Sequence, residues 1–201
     1  MSELFSEADV QNSLELLIYR MIEARLPHKR FQHTLRVLET AQKLCLLYGG
    51  DRSKMRLAAL LHDYAKPLGF DQMIDAITAA GLQVPPDAAS YPEILHADAS
   101  AALAITEFNI NDPDIIKTIR SHTVGNDSLS IEDKVLYLAD YVEDGRDFPG
   151  VGELRELTYK DMDAAMLLGC DMSILELVAR RKLIHPMTIN CRNSIILSRK
   201  V

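Results

Sequence analysis

The sequence predicts an all-α fold, a helical bundle whose C-terminal helices pack on the core formed by the first two thirds of the chain. The main observation is that apolar residues recur at spacings of three and four, as on one face of a helix. The first series of this kind is Leu14, Leu17, Ile18, Met21 and Ile22. No strand-like alternation of apolar and polar residues persists beyond a few positions. Of the 201 residues, 48% are hydrophobic and 25% are charged, which excludes disordered, collagen-like and disulfide-scaffold proteins.

Helix-start and helix-stop residues divide the bundle into successive helices. The first predicted helix ends at Pro27. It is followed by helices over about 31–48, from Asp51 or Ser53 to Tyr64, over about 70–80 and over about 93–108. The later helices run from Pro113 into Ser121, after Ser130, for a short stretch after Gly150, over about 160–183 and after Pro186. Asp112-Pro113 is an N-cap followed by proline at the first helical position, and residues 130–133 match a capping box. Gly49-Gly50 end the second helix, and residues 81–92 form a loop.

The charge and the cysteine content indicate which classes of partner are excluded and which cellular compartment the protein occupies. With 22 basic and 29 acidic residues the net charge is −7, which argues against nucleic acid or an anionic membrane as the main partner. Cys45, Cys170 and Cys191 are far apart, so disulfides and cysteine-bound zinc are not expected. The N-terminal MSELFSEADV lacks the features of a signal peptide, and the apolar runs are shorter than the ~18 residues of a membrane span. We therefore predict a cytoplasmic protein.

Polar residues interrupt two apolar helical segments. His62 and Asp63 end the segment LAALLHDYAK, and Asp140 lies inside VLYLADYV. A carboxylate in such surroundings destabilises the fold unless it is paired, hydrogen-bonded or bound to a metal. Taken singly, Asp140 is explained equally well by an ion pair with a lysine or arginine, and His62 by a hydrogen-bonded core histidine.

Together these residues indicate a metal site. One histidine lies on each of four predicted helices, at positions 33, 62, 96 and 122, and Asp140 lies on the next helix. Helical bundles build metal sites from one inward ligand per helix, and imidazole with carboxylate suits iron, manganese or zinc. Consecutive helical residues point about 100° apart, so His62 and Asp63 reach one ion only near a helix end or distortion, which Pro67 permits.

The order of these residues resembles the HD-domain metal phosphohydrolases, whose pattern is a histidine, a His-Asp pair and a distal aspartate, here His33, His62-Asp63 and Asp140. His96 and His122 match the extended form of that site. Within residues 28–194, the segments LLHDYAK, EILHADASA, IRSHTVG, KVLYLADYVEDGRDFPGV and LIHPMTINCRNS are similar to the bacterial YqeK-type symmetrical tetraphosphatases. The resemblance implies an HD-domain helical bundle that hydrolyses diadenosine tetraphosphate to two ADP and carries iron. It allows manganese or another divalent ion as the alternative, and either one or two bound ions.

Position by position, the resemblance implies iron ligands at His33, His62, Asp63 and Asp140. It implies contacts to phosphate or nucleotide from Arg30, Lys66, His96, His122, Thr123, Asp140 and Arg146, and a nucleoside end formed by Ile184, His185, Pro186, Thr188, Arg192 and Asn193. Asp63 would orient or deprotonate the attacking water, and Lys66 and Arg146, with protonated His96 or His122, would stabilise the leaving ADP. Phosphoryl transfer needs mainly positioning and electrostatics, so no nucleophilic serine or cysteine is required.

Several alternatives remain open at this level. The same scaffold could carry a nucleotidase or nucleoside triphosphatase, or a non-catalytic module that senses an ADP-like nucleotide. Residues 1–27 are predicted to form a helical extension and residues 28–201 a single HD-type domain. Apolar faces on the C-terminal helices favour a homodimer, His185 could simply cap a helix, and His28 is expected in a loop outside the site.

Overall fold

The computed structural model describes residues 13–199, which form ten α-helices and no β-strand, so the all-α class is confirmed. The helices are α1 (Ser13–Arg25), α2 (His28–Tyr48), α3 (Arg52–Leu61), α4 (Phe70–Ala79), α5 (Leu95–Phe108), α6 (Pro113–Ser121), α7 (Ile131–Val142), α8 (Val151–Thr158), α9 (Met162–Ala179) and α10 (Pro186–Ser198). The segment MSELFSEADV, for which we predicted no signal peptide, lies outside the described residues.

The helices pack around one hydrophobic core. Helix α2 packs against α3 and α7, α5 packs against α4 and α6, and α3 also contacts α6. Helix α9 packs against α7, α8 and α10, which confirms that the C-terminal helices lie on the core.

The predicted N-caps set the starts of three helices. The Asp51 side chain, rather than that of Ser53, accepts two backbone N–H groups at the start of α3, and Asp112 does the same for α6. Ser130 and Asp133 form the predicted capping box of α7. Each cap satisfies backbone donors that the first turn of a helix leaves free.

Two predicted boundaries were wrong. Helix α2 begins at His28, so that residue is helical and not in a loop; Pro27 serves as the N-cap, and its carbonyl accepts from the backbone N–H groups of the first turn. Helix α3 ends at Leu61 rather than at Tyr64, because the following backbone groups bond across three residues instead of four. The chain thus leaves the helix just before His62.

Helix α1 packs on α2 and α3, with Ile18 and Ile22 fully buried in the core. At its end, the Arg25 guanidinium lies 4.0 Å from the centre of the Tyr64 ring and donates to Glu107. The Tyr64 hydroxyl donates to the same carboxylate at 2.7 Å. The division of the chain at residue 27 stays a prediction.

The C-terminal hairpin of α9 and α10 leaves apolar surface uncovered. Helix α9 is rich in apolar residues, and Leu175 and Val178 on it, with Leu183 after it, are exposed. The predicted cap is present, since His185 Nδ1 accepts from the Met187 N–H at 3.1 Å. Among the helices of residues 13–199, none is both long enough and apolar enough to cross a membrane.

Candidate metal centre

Six polar side chains from five parts of the bundle converge in one cluster. They are His33 in α2, His62 and Asp63 in the turn after α3, His96 in the first turn of α5, His122 at the end of α6 and Asp140 near the end of α7. Their donor atoms form three overlapping triads within 4.8 Å: His33, His62 and Asp63; His62, His122 and Asp140; Asp63, His96 and His122. All the predicted ligands and both additional histidines therefore lie together.

The turn after α3 lets two consecutive residues face one cluster. The Tyr64 N–H donates to the Leu61 carbonyl at 3.1 Å, and the Lys66 N–H donates to the Asp63 carbonyl at 2.9 Å. This three-residue spacing is a 3₁₀-type turn, which is tighter than an α-helix. The local departure from α-helix that we predicted for the His-Asp pair is confirmed.

All four imidazoles present the same ring nitrogen to the cluster. In each, Nδ1 lies 2.7–3.0 Å from an oxygen: the carbonyl of Ala59 for His62, of Glu93 for His96 and of Ile119 for His122, and the Glu143 carboxylate for His33. Such oxygens only accept, so Nδ1 carries the hydrogen and the lone pair of a neutral ring is on Nε2. In His96 that atom lies 2.9 Å from Lys66 Nζ and 3.2 Å from His122 Nε2. That is the form in which histidine binds a metal.

The cluster fits a divalent metal ion. Nε2 of His62 and Nε2 of His33 are buried and have no hydrogen-bond partner among the described residues. His33 Nε2 lies 2.9 Å from Asp140 Oδ1 without forming a hydrogen bond, and two acceptor atoms at that distance need a cation or a proton between them. Imidazole nitrogen and carboxylate oxygen without sulfur suit iron, manganese or zinc.

Electrostatics keep His62, His122 and the two aspartates in binding-competent states. Burial would lower the pKa of His33, but its contacts with Asp140 and Glu143 raise it. Burial, with the neighbouring His62 and His96, lowers the pKa of His122 to about 3, and burial also lowers the pKa of His62. Burial alone would raise the pKa of Asp63 and of Asp140, but nearby histidines and cations hold both below the usual value. The predicted protonated His122 is therefore corrected, because near neutral pH its buried ring is uncharged.

Three cationic side chains border the cluster. Arg30 Nη1 donates to Asp63 Oδ2 at 2.7 Å, and Arg146 Nη2 donates to Asp140 Oδ1 at 2.5 Å. Lys66 Nζ lies 3.8 Å from Asp63 Oδ1, and burial lowers the pKa of this amine. The ion-pair interpretation of Asp140 is confirmed, with Arg146 as the partner, and its role as a metal ligand stays a prediction.

A cavity of about 470 Å³ lies between α5, α6 and the start of α10. Its walls include Tyr91, Leu95, Ile116, Val124 and Met187, and its polar lining includes Asp87, Asp98, Lys117, Arg120, Thr123 and His185. Thr123 follows His122 and Leu95 precedes His96, so this cavity adjoins the cluster along the chain. The structure places Thr123 and His185 in the cavity wall, and their contacts to a nucleotide stay a prediction.

The remaining residues predicted at the nucleoside end lie around or away from this cavity. The Ile184 carbonyl accepts from the Tyr91 hydroxyl at 3.4 Å, Pro186 is exposed and Thr188 is buried. Arg192 is held by Asp171 on α9 and Asn193 is exposed on α10; neither lines the cavity. A nucleotide role for these residues stays a prediction.

One site residue escaped the sequence interpretation. The Glu143 carboxylate, which is only 1% exposed, accepts from His33 Nδ1 and from the Arg36 guanidinium. Burial would raise the pKa of Glu143, but His33, Arg36 and the Gly145 N–H hold it at about 2. The available signal was a second carboxylate three residues after Asp140, one helical turn along the same segment.

Residues 30–145 match the HD domain family, a span that contains the whole cluster. A protein of Halalkalibacterium halodurans named "Bis(5'-nucleosyl)-tetraphosphatase, symmetrical" is 36% identical over 90% of this chain and 96% of its own length. A Staphylococcus aureus protein of the same name is 35% identical over 87% of this chain and 90% of its own. The crystal structure of a Clostridium acetobutylicum protein, described as a predicted HD superfamily hydrolase involved in NAD metabolism, superposes with a TM-score of 0.86 at 32% identity, covering 96% of this chain and 98% of that one.

Proposed function

This chain belongs to the HD-domain family and, within it, to the symmetrical bis(5'-nucleosyl)-tetraphosphatases, and on that premise we propose that it hydrolyses diadenosine tetraphosphate to two ADP with a divalent metal ion. The observation that carries the proposal is the buried cluster of four histidines and two aspartates, bordered by cationic side chains. It combines a place for a metal ion with a place for a polyphosphate.

We assign the metal ion to His33, His62, Asp63 and Asp140, and we propose iron as its identity, with manganese as an alternative. When bound, a divalent ion supplies Lewis acidity, which lowers the pKa of water and neutralises phosphoryl oxygens. Two of the triads share Asp63 and two share His62, so the cluster also accommodates a second ion beside the first.

The side chains around the ion bind and orient the polyphosphate. Each phosphate carries about one negative charge, so Arg30, Lys66 and Arg146 compensate charge that would repel a nucleophile. Water forms a bond to one of the two central phosphorus atoms, and the bond from that phosphorus to the central bridging oxygen breaks. Asp63 accepts the proton of the water, and the leaving ADP takes the bridging oxygen with its electron pair, stabilised by Lys66 and Arg146.

The adjoining cavity is proposed to take one nucleoside of the substrate. Its volume of about 470 Å³ and its mainly apolar and aromatic walls suit a purine, whose faces pack on apolar surface. Polar groups at its rim, including Thr123 and Asp87, offer hydrogen bonds that fix the orientation of the base or ribose.

The decisive experiment is product analysis with purified protein. With iron or manganese present, diadenosine tetraphosphate should give ADP as the sole product. ATP plus AMP, or cleavage of mononucleotides only, would contradict the proposal and favour a nucleotidase or triphosphatase. NAD is included as a substrate because the similar Clostridium acetobutylicum protein is described in terms of NAD metabolism. Metal-loaded protein that turns over none of these would favour a nucleotide sensor.

We also propose a homodimer formed through the C-terminal hairpin. Leu175 and Val178 are three residues apart on α9, so they share one face of that helix, and both are exposed. A second copy of the chain would cover that face. Light scattering after gel filtration should give twice the chain mass, whereas a monomer at micromolar concentration would contradict the dimer.

A further inference from the structure

The four cluster histidines are oriented in two different ways. His62, His96 and His122 lie at helix ends, and each donates from Nδ1 to a carbonyl three residues earlier. The Ala59 and Ile119 carbonyls lie in the last turns of α3 and α6, and the Glu93 carbonyl precedes α5, so all three lie outside the regular hydrogen bonding of a helix interior. These three rings are therefore held by their own chain segments.

His33 has no such local acceptor. It lies within α2, where the backbone carbonyls are engaged by the helix itself. Its Nδ1 instead lies 3.0 Å from Glu143 Oε1, a residue 110 positions later in the chain. The tautomer and the angle of the His33 ring thus depend on one distant carboxylate.

The turn after α7 holds Glu143 firmly in that position. Glu143 Oε2 accepts from the Gly145 N–H at 2.5 Å and from Arg36 Nε, so both carboxylate oxygens are occupied. A Cβ at position 145 would lie 2.5 Å from Arg36 Nη2, so any other residue there would displace the guanidinium from its present position. On α8, Arg155 donates to the carbonyls of residues 142, 143 and 146 and fixes the same turn.

We propose that Glu143 is a positioning residue of the metal centre: it keeps the proton of His33 on Nδ1 and so leaves Nε2 free for the ion. This rests on the metal centre of the proposed function, but not on the identity of the substrate. An ion pair with a merely structural role would need only Arg36, which is one third exposed and could pair without any contact to His33. Hydrogen-bond partners of ligand histidines typically change metal affinity by about 10–100-fold.

The test measures metal affinity and stability separately. Metal-free wild type, Glu143→Gln and Glu143→Ala are titrated with Mn²⁺ by calorimetry, and their thermal unfolding is followed without metal. Asp133→Asn is the matched control, because Asp133 is an equally buried carboxylate at the other end of α7. We expect Kd for Mn²⁺ to rise about 10–100-fold in Glu143→Ala and by less in Glu143→Gln, whose amide oxygen can still accept from His33 Nδ1. In the control it should stay within about twofold, although the control also unfolds at a lower temperature.

Two results would overturn the proposal. One is a folded Glu143 variant, judged by circular dichroism, whose Kd for Mn²⁺ equals that of wild type. The other comes from nitrogen-15 spectra of metal-free wild type, recorded at a pH where the imidazoles are neutral, with the His33 signals assigned by comparison with His33→Gln. These spectra must show the hydrogen of His33 on Nδ1, and finding it on Nε2 contradicts the proposal. If wild type binds Mn²⁺ but does not cleave diadenosine tetraphosphate, the proposed function fails and the role of Glu143 stands.

Discussion

Asp63 is the side chain that the other groups of the centre share. Its Oδ1 lies 3.2 Å from His96 Nε2 and 3.8 Å from Lys66 Nζ, and its Oδ2 lies 2.7 Å from Arg30 Nη1. A buried carboxylate is tolerated when several partners replace its lost hydration. Here every partner is cationic or able to share a metal with it, so the same contacts that stabilise Asp63 in the core also keep its carboxylate ionised.

Replacement of Asp140 by alanine should abolish metal binding and activity together. Loss of a hydrogen-bond partner of a ligand already changes metal affinity by about 10–100-fold, so loss of a direct ligand should lower activity by at least about 100-fold. The measurement is metal content by elemental analysis together with the rate of ADP formation. Arg146 would also lose its carboxylate partner, so folding is checked by circular dichroism.

The control for that variant is Asp147→Ala, because Asp147 is exposed in the segment that follows the same helix. Metal content and rate should match wild type. If Asp140→Ala retains both its iron and its activity, Asp140 is not a ligand, and the cluster must hold the ion through the triads that lack it.

At the scale of helices, local chemistry explains what could be predicted. Asp112-Pro113 starts α6 where expected, because capping depends on neighbours within one turn. The end of α3 could not be placed, since Tyr64, which the pattern assigned to the helix, is fixed by a long-range bond to Glu107 and by Arg25 on its ring. Glu143 was missed for the same physical reason: its partners His33 and Arg36 lie more than 100 positions away.

The junction of α6 and α7 should give a pH-dependent contribution to stability through Asp133. This buried carboxylate accepts from Thr118 and Asn126, and Lys117 Nζ lies 2.9 Å away. Burial would raise the pKa of Asp133, but Lys117 and Asn126 hold it below the ordinary value. Because its pKa is lower in the folded protein, ionised Asp133 stabilises the fold at pH values above its pKa in the unfolded chain, which is about 3.9. That contribution is lost as the pH falls through the pKa of the folded protein.

Urea unfolding of wild type and Asp133→Asn checks this expectation. At pH 7 the variant should be less stable by about 1–3 kcal/mol, because the buried donors lose a charged acceptor. The difference in the free energy of unfolding should shrink progressively below about pH 5, as wild-type Asp133 takes up a proton first in the unfolded chain and then in the folded protein. A difference that stays constant or grows on acidification would show that the charge of Asp133 is not what stabilises the junction.

For the whole molecule, the net charge of −7 does not decide which ligand can bind. It excludes an extended basic surface, yet Arg30, Lys66 and Arg146 gather around a single centre. Electrostatic interactions between exposed charges are screened beyond about 10 Å at moderate ionic strength, so acidic residues on outer helix faces affect a phosphate in the centre much less than these three neighbours. Placement of charge, rather than its sum, fits the protein to an anionic substrate.

The centre also joins the bundle, so removal of the metal should lower the stability of the entire fold. The proposed ligands of the ion lie in α2, in α7 and in the turn after α3. An ion that binds only the folded state stabilises that state by about 2.7 kcal/mol when the ion concentration is 100 times its Kd. For a chain of this size that corresponds to a shift of about 5–10 °C in the midpoint of thermal unfolding. Calorimetric scans with chelator and with added Mn²⁺ measure it, and Asp140→Ala should show equal midpoints in both. Equal midpoints for the wild type would mean that no ion binds the folded state preferentially, and a metal centre at the junction of these helices would be contradicted.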